Sequence, residues 1–192
     1  MNMVYIFLAD GFEEIETITP IDILKRAGID IKMISISDSL EVCGAHGITM
    51  IADETFDESD FLDAEMLILP GGKKGTENLA KHDELRSLII EKNEKNKYIA
   101  AICAAPAILG QMGLLQNKTA TCYPGNEGML KGAKLSDSNV VSDGNIITSR
   151  GPGTAQNFGL RIVKMLKGKE IAEKLNESML FKRRYEIMIK EK

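Results

Sequence analysis

Short runs rich in Val, Ile and Leu, each closed by a turn signal and followed by an amphipathic stretch, recur along the whole chain, and this alternation limits the fold more than any other feature. Strands that alternate with helical patterns read as βα units wrapped around a mostly parallel sheet, the α/β class. The strand runs are Met3–Ala9, Asp30–Ser35, Glu65–Leu69, Tyr98–Ile102, Thr119–Tyr123 and Asn145–Ser149. Two further extended pieces, Ser39–Val42 and Gly47–Ile51, flank a Gly-containing turn and predict a small hairpin at the sheet edge. Helices are predicted at Glu14–Ala27, Asp83–Asn93, Ala104–Met112, Thr154–Leu166 and Lys169–Lys174, with Pro20 bending or restarting the first. Gly28, Gly113 and Gly168 stand where C-cap glycines belong. With 192 residues, 44% of them hydrophobic, the chain has material for one core. Residues 1–180 are expected to form that single domain, and 181–192 a basic extension.

Several function classes fall away at once. Lys and Arg number 24 against 28 Asp and Glu, a net charge of −4, so no nucleic-acid partner is expected. Cys43, Cys103 and Cys122 make an odd set without a CxxC pair, which favours reduced thiols in a cytoplasmic protein over a disulfide framework or a zinc site. The N-terminal apolar run lacks a preceding cationic region and meets Asp10 almost at once, so it reads as a strand and not as a signal peptide. The weakly apolar stretch from Tyr98 to Leu115 contains Pro106, Gly110, Gln111 and Gly113, a poor pattern for a membrane span. The last residues, LFKRRYEIMIKEK, read as a solvated terminal helix, with a membrane-surface helix as the weaker alternative.

The most informative segment is KYIAAICAAPAILGQMG, where a strand runs into Cys103 and a helix begins at once. A residue at such a turn projects from the carboxyl end of the sheet with the following N–H groups aimed at it. That setting is expected to lower the Cys103 thiol pKa and to hold an oxyanion on a bound substrate. Free cysteine is also among the most buried residue types, so spacing alone leaves a reactive and a packed Cys103 equally open. LILPGG ends on Gly71 and Gly72, a second strand running into a turn where unencumbered backbone can supply another N–H donor. GGKKGTEN lacks the GK[ST] ending of a P-loop and SRGPGTAQNFG does not fit GxGxxG, so no nucleotide site is expected. In DGFEEIET, Glu13 and Glu14 read as solvated first-turn carboxylates, whereas Glu16, among Ile15, Ile18 and Ile21, can face inward toward Cys103. The two histidines, His46 and His82, fall outside the loops expected to flank Cys103.

ADGFEEIET, PIDILKRAGI, LILPGG, AAICAAPAIL, TCYPG and TSRGPGTAQNF, in this order, resemble the ThiJ/PfpI superfamily, in the branch of the parkinsonism-associated protein deglycase and the bacterial ThiJ/YajL proteins, over about residues 3–175. The resemblance implies a flavodoxin-like three-layer α/β sandwich, a homodimer, and a nucleophile-elbow cysteine easily oxidised to a sulfinate. By motif position the nucleophile is Cys103 and the carboxylate bonded to it is Glu16. The oxyanion site falls on the N–H groups of Gly72 and Ala104, and Arg150 matches a family arginine of structural or anion-supporting role. Ala104 stands where protease-like members have His, which weighs against a peptidase, and Tyr123 stands where a pocket His occurs in part of the branch. The implied activity is a cofactor-independent, metal-free, cysteine-dependent hydrolase or lyase of glyoxalase or protein-deglycase type, acting on small reactive carbonyls or glycated protein. The rival is an oxidative-stress sensor or redox-regulated chaperone working through Cys103, and an amidotransferase-like hydrolase is the weakest option.

Overall fold

The computed structural model describes residues 3–181, so the basic extension beyond Phe181 lies outside the described residues. A seven-stranded sheet forms its centre. It is built from β1 (Met3–Leu8), β2 (Ile31–Ser35), β5 (Glu54–Thr55), β6 (Ala64–Leu69), β7 (Tyr98–Ile102), β10 (Val140–Asp143) and β11 (Ile146–Ser149), with β3 (Glu41–Cys43) paired to β4 (Thr49–Ile51) and β8 (Thr119–Ala120) to β9 (Lys134–Leu135) in two small separate sheets. The order is β10-β11-β7-β6-β1-β2-β5, parallel throughout except for the antiparallel β10–β11 edge. The helices are α1 (Glu14–Arg26), α2 (Lys73–Lys81), α3 (Asp83–Glu94), α4 (Pro106–Gln111), α5 (Ala155–Lys167) and α6 (Lys169–Ser178).

Strand periodicity sorts the core into two halves. Tyr5 and Phe7 of β1 point to the side where Leu79, Leu85, Ile89 and Leu109 of α2, α3 and α4 pack, and Val4, Ile6 and Leu8 to the side of α1 and α5 with Ile23, Leu24, Phe158 and Ile162. The result is a three-layer α/β sandwich whose central strands, covered on both faces, are almost wholly apolar, as parallel strands must be. α1 and α5 lie close enough that a Cβ on Gly159 would sit 2.9 Å from Ile23 Cδ1. The chain passes from β1 outward to β2, then returns to place β6 on the other side of β1. The carboxyl ends of β1 and β6 therefore flank a topological switch point, the place where open α/β sheets leave a crevice.

Four expectations are corrected. The run Thr119–Tyr123 contributes only Thr119–Ala120 and pairs with β9, because β10 takes the edge position beside β11. The hairpin forms, but as its own two-stranded sheet, with β5 as the edge of the main one. α1 runs unbroken through Pro20, so the proline does not restart it. The stretch after LPGG is not merely a turn but α2, whose Gly75 lets the helix press against the loop after β1: a Cβ there would lie 2.7 Å from Phe12 N.

Candidate active site

Cys103 follows β7 directly, with φ +65°, in the left-handed region that a non-glycine residue seldom occupies. Such a conformation costs on the order of 1–3 kcal/mol and persists only where neighbours hold it. Here Cys103 N–H donates to Ser149 O at 2.9 Å and Cys103 O accepts from Tyr123 N–H at 2.8 Å. Ser149 is in turn fixed through its hydroxyl to Asn139 O and Thr154 Oγ1. The thiol is thus aimed by β11 and the TCYPG loop as much as by its own strand.

Glu16 is fully buried on α1 and reaches the same point. Its Oε2 accepts from Gly71 N–H at 3.0 Å, and the carboxylate and the Cys103 side chain pack on the same side of Gly71, close enough for each to shift the other's protonation. Oε1, also buried, has no hydrogen-bond partner. A Cβ on Gly71 would lie 2.3 Å from Glu16 Oε2 and 2.5 Å from Cys103 Cβ, which locates glycine between the two functional groups. Gly72, with φ +88°, is wedged against the loop after β1, where a Cβ would sit 2.2 Å from Gly11 O. Its N–H and that of Ala104 lie beside the sulfur and favour its anionic form. Gly72 and Ala104 therefore hold the positions expected of them.

The electrostatics differ from expectation. Burial above all, then the Glu16 charge and hydrogen bond, push the Cys103 thiol up to about 12, and the Gly72 and Ala104 N–H groups only partly offset this. The expected lowering by a helix N-terminus fails because α4 is a six-residue helix that starts at Pro106, beyond Ala104, and carries little dipole. Burial also pushes Glu16 up, to about 7, aided by the charge of Glu13 and opposed by the thiol and the Gly71 N–H. Near neutral pH the pair holds between one and two protons, and the second is hard to remove. The chemistry open to it is proton transfer between carboxyl and sulfur, with two backbone donors ready for an anion.

Cys103 opens on a cavity of about 630 Å³. One wall is the face of α2 at helical spacing, Lys73, Thr76, Glu77 and Ala80; the other is Ala107 and Ile108 of α4 with Tyr123 and Met129. Tyr123 lies in this wall, as the sequence implies. Arg150 does not. Its Nη1 donates to Asp137 O and Oδ1, each at 3.2 Å, so it ties down the loop before β10 and does not line the Cys103 cavity.

Glu13 and Glu14 overturn the expectation of solvated carboxylates, since both are buried. Glu13 caps α1, accepting from Glu16 N–H at 2.7 Å. Glu14 accepts from His46 N–H and bonds His46 Nδ1, each at 2.7 Å, which pins the hairpin to α1. Conversely Ile15 and Ile18 are exposed, so Glu16 faces inward without them. His82 accepts from Leu85 N–H at the start of α3, so both histidines are engaged away from Cys103. Glu13, Glu14 and His46 are, among the described residues, the only three potential ligands with ligand atoms within 4.8 Å of one another, and the bonds just given already occupy them. Among the described residues no helix is long and apolar enough to cross a membrane. Sequence reasoning missed the α2 wall and the Glu14–His46 pair; the i, i+3, i+4, i+7 spacing of Lys73, Thr76, Glu77 and Ala80 is the signal that marks the first.

A mostly parallel three-layer sandwich with a strained cysteine, a buried glutamate and two backbone donors at the switch point defines a nucleophile-elbow α/β protein. Residues 2–165 match the family model described as DJ-1/PfpI family, and the chain belongs to that family. It is 37% identical over 174 residues to protein DJ-1 homolog B of Arabidopsis thaliana, covering 90% of this chain but 40% of that relative, so it spans about two fifths of that relative's length. It is 34% identical over 180 residues to the glutathione-independent glyoxalase DJ-1 of Schizosaccharomyces pombe, covering 88% of this chain and 94% of the relative. The structure of oxidised Toxoplasma gondii DJ-1 superposes with a TM-score of 0.91 at 30% identity, covering 95% of this chain and all (100%) of that one.

Proposed function

We propose that the protein is a cofactor-independent, cysteine-dependent enzyme of glyoxalase or deglycase type that acts on reactive carbonyls. The observation that carries the reading is the packing of the Glu16 carboxyl and the Cys103 thiol against one glycine, Gly71, whose added Cβ would lie 2.3 Å from Oε2 and 3.1 Å from Sγ, beside the N–H groups of Gly72 and Ala104. The glyoxalase name of the fission-yeast relative supports it. Within the pair, the thiol proton passes to Glu16 and the sulfur adds to the aldehyde carbon of a 2-oxoaldehyde. The N–H groups of Gly72 and Ala104 hold the oxyanion until Glu16 protonates it. Glu16 then removes the hydrogen of that carbon as a proton and returns it to the neighbouring carbon through an enediol, leaving a thioester. Water cleaves the thioester to a 2-hydroxy acid, and the thiol proton is restored. The net change adds one water to the 2-oxoaldehyde and needs no external oxidant or reductant.

The test is lactate formation from methylglyoxal in amine-free buffer by wild type beside Cys103→Ser, both purified identically. Lactate from wild type alone is expected; equal rates would refute the nucleophile. A second reading, redox sensing, is supported by the oxidised state of the Toxoplasma relative. With peroxide as oxidant Cys103 would climb to the sulfinate, hydrogen-bonded by protonated Glu16. Oxidation that alters behaviour in a protein without turnover would favour it. A homodimer goes with either reading: Ile15 and Ile18 on α1 and Ile48 and Ile51 on the hairpin are exposed, whereas Ile21 is buried and cannot contribute. Light scattering should give twice the chain mass.

A further inference from the structure

The cavity over Cys103 is far larger than a three-carbon aldehyde requires. At about 630 Å³ it falls in the range, ~300–1,000 Å³, that encloses a drug-sized ligand. Beyond the reacting sulfur its lining is mostly apolar, with Ala80 of α2, Ala107 and Ile108 of α4, and Tyr123, Pro124 and Met129 of the following loop, interrupted by Thr76, Gln111 and Asn126. Its charged residues, Lys73 and Glu77, are exposed. Beside the sulfur stand Glu16 and the Gly72 and Ala104 N–H groups, and along the α2 wall the buried Thr76 hydroxyl is without a hydrogen-bond partner. The site thus has a polar end that takes a carbonyl and a long apolar wall that a methyl group would leave in contact with water.

We propose that the substrate is a 2-oxoaldehyde carrying an apolar arm of several carbons or a ring, which lies along Ala80, Ala107, Ile108 and Met129 while its aldehyde meets Cys103. This rests on the carbonyl-directed reading above and specifies its substrate. The arm is bound by removing apolar surface from water, in the ground state and the transition state alike, so the gain appears mainly as a lower KM. One methylene in such a pocket is worth about tenfold or more at best.

The experiment is a series of alkyl 2-oxoaldehydes from methyl to hexyl, whose reacting ends are electronically alike, assayed for 2-hydroxy acid formation. The expected result is a kcat/KM that rises at least about tenfold across the series, carried by KM. Ala80→Leu, which fills the wall from a half-buried helix position, should lower the hexyl-to-methyl ratio several-fold. A second arm needs no turnover: the rate of Cys103 alkylation by N-hexyl-iodoacetamide relative to iodoacetamide, with Cys43 in the same protein as internal reference. Faster hexyl alkylation at Cys103 alone is expected. A flat turnover series with unselective alkylation overturns the apolar-arm inference and leaves the proposed function standing. Selective alkylation with no Cys103-dependent turnover on any member sinks the proposed function and keeps the cavity assignment.

Discussion

Gly71→Ala isolates the role of close approach in the site. The added Cβ would lie 2.3 Å from Glu16 Oε2, 2.5 Å from Cys103 Cβ and 3.1 Å from its Sγ, where ordinary contact begins near 3.4 Å. Gly71 has no positive φ, so the backbone accepts alanine and the whole effect is steric. The pair must part by about 1 Å, a misplacement that can cost on the order of 100-fold in rate. Overpacking of this kind costs about 1–3 kcal/mol, or roughly 2–12 °C in Tm for a chain of this size. Gly128→Ala, at a site with nothing within 4 Å of the added Cβ, serves as control. Steady-state kinetics with a 2-oxoaldehyde and thermal unfolding at one pH read both effects. If Gly71→Ala retains wild-type kcat/KM and Tm, the contact between Glu16 and Cys103 is not held by the glycine, and the argument that the LPGG turn shapes the site is wrong.

Glu16→Gln should lose on the order of 10²–10⁴ in kcat and the inflection near pH 7 in the rate profile; an unchanged profile would assign that proton elsewhere. Because the folded pKa of Glu16 lies above its unfolded value near 4.5, stability should fall as pH rises from about 4.5 through about 7, and Glu16→Gln should flatten that fall in melts at pH 5 and 8. The hydrogen bond to Glu14 raises the His46 pKa, while burial of Glu14, which raises its own, is outweighed by the hydrogen bonds from His46. The pair should therefore hold the hairpin from below the usual carboxylate range until His46 deprotonates above its usual 6.5, and the protection of hairpin amides, taken relative to their intrinsic exchange rate at each pH, should be lower at pH 8.5 than at pH 6 in wild type but equal at the two in His46→Ala. Arg150→Ala should cost about 1 kcal/mol through lost bonds to Asp137 yet leave kcat/KM within about twofold; a large kinetic loss would return Arg150 to the site.

What the sequence made legible follows from what each signal encodes. The strands β1, β2, β6, β7 and β11 were readable because burial on both faces demands continuous apolar runs, β8 was read too long, and the two-residue pieces β5 and β9 were not readable because they carry no period. α2 was hidden by Gly75, which lowers helix propensity but is required by the close approach to Phe12. Glu16 and Cys103 could be paired only through motif resemblance, since 87 positions separate them and neither periodicity nor composition encodes that contact. The reversal on α1, with Glu13, Glu14 and Glu16 buried and Ile15 and Ile18 exposed, contradicts the pattern a helix normally shows. Local rules fail where function or an interface imposes its own demands.

Under the proposed mechanism, that reversal also bears on how a nucleophile would form. A thiol lowered by a helix dipole would be anionic on its own, but here burial and an adjacent carboxylate oppose a second negative charge. Reactivity must then come from where the one remaining proton sits. With it on sulfur, the Gly72 and Ala104 N–H groups face a neutral atom, and the Glu16 anion is supported by the Gly71 N–H and the adjacent thiol with Oε1 unpartnered. With it on Glu16, the two N–H groups face a thiolate and the carboxyl donates to sulfur. The second arrangement satisfies more donors, and an incoming carbonyl oxygen can take over both N–H groups as the sulfur charge is transferred to it. Burial raises both pKa values and thereby keeps one proton in the pair, so the charge is formed only where a substrate can receive it.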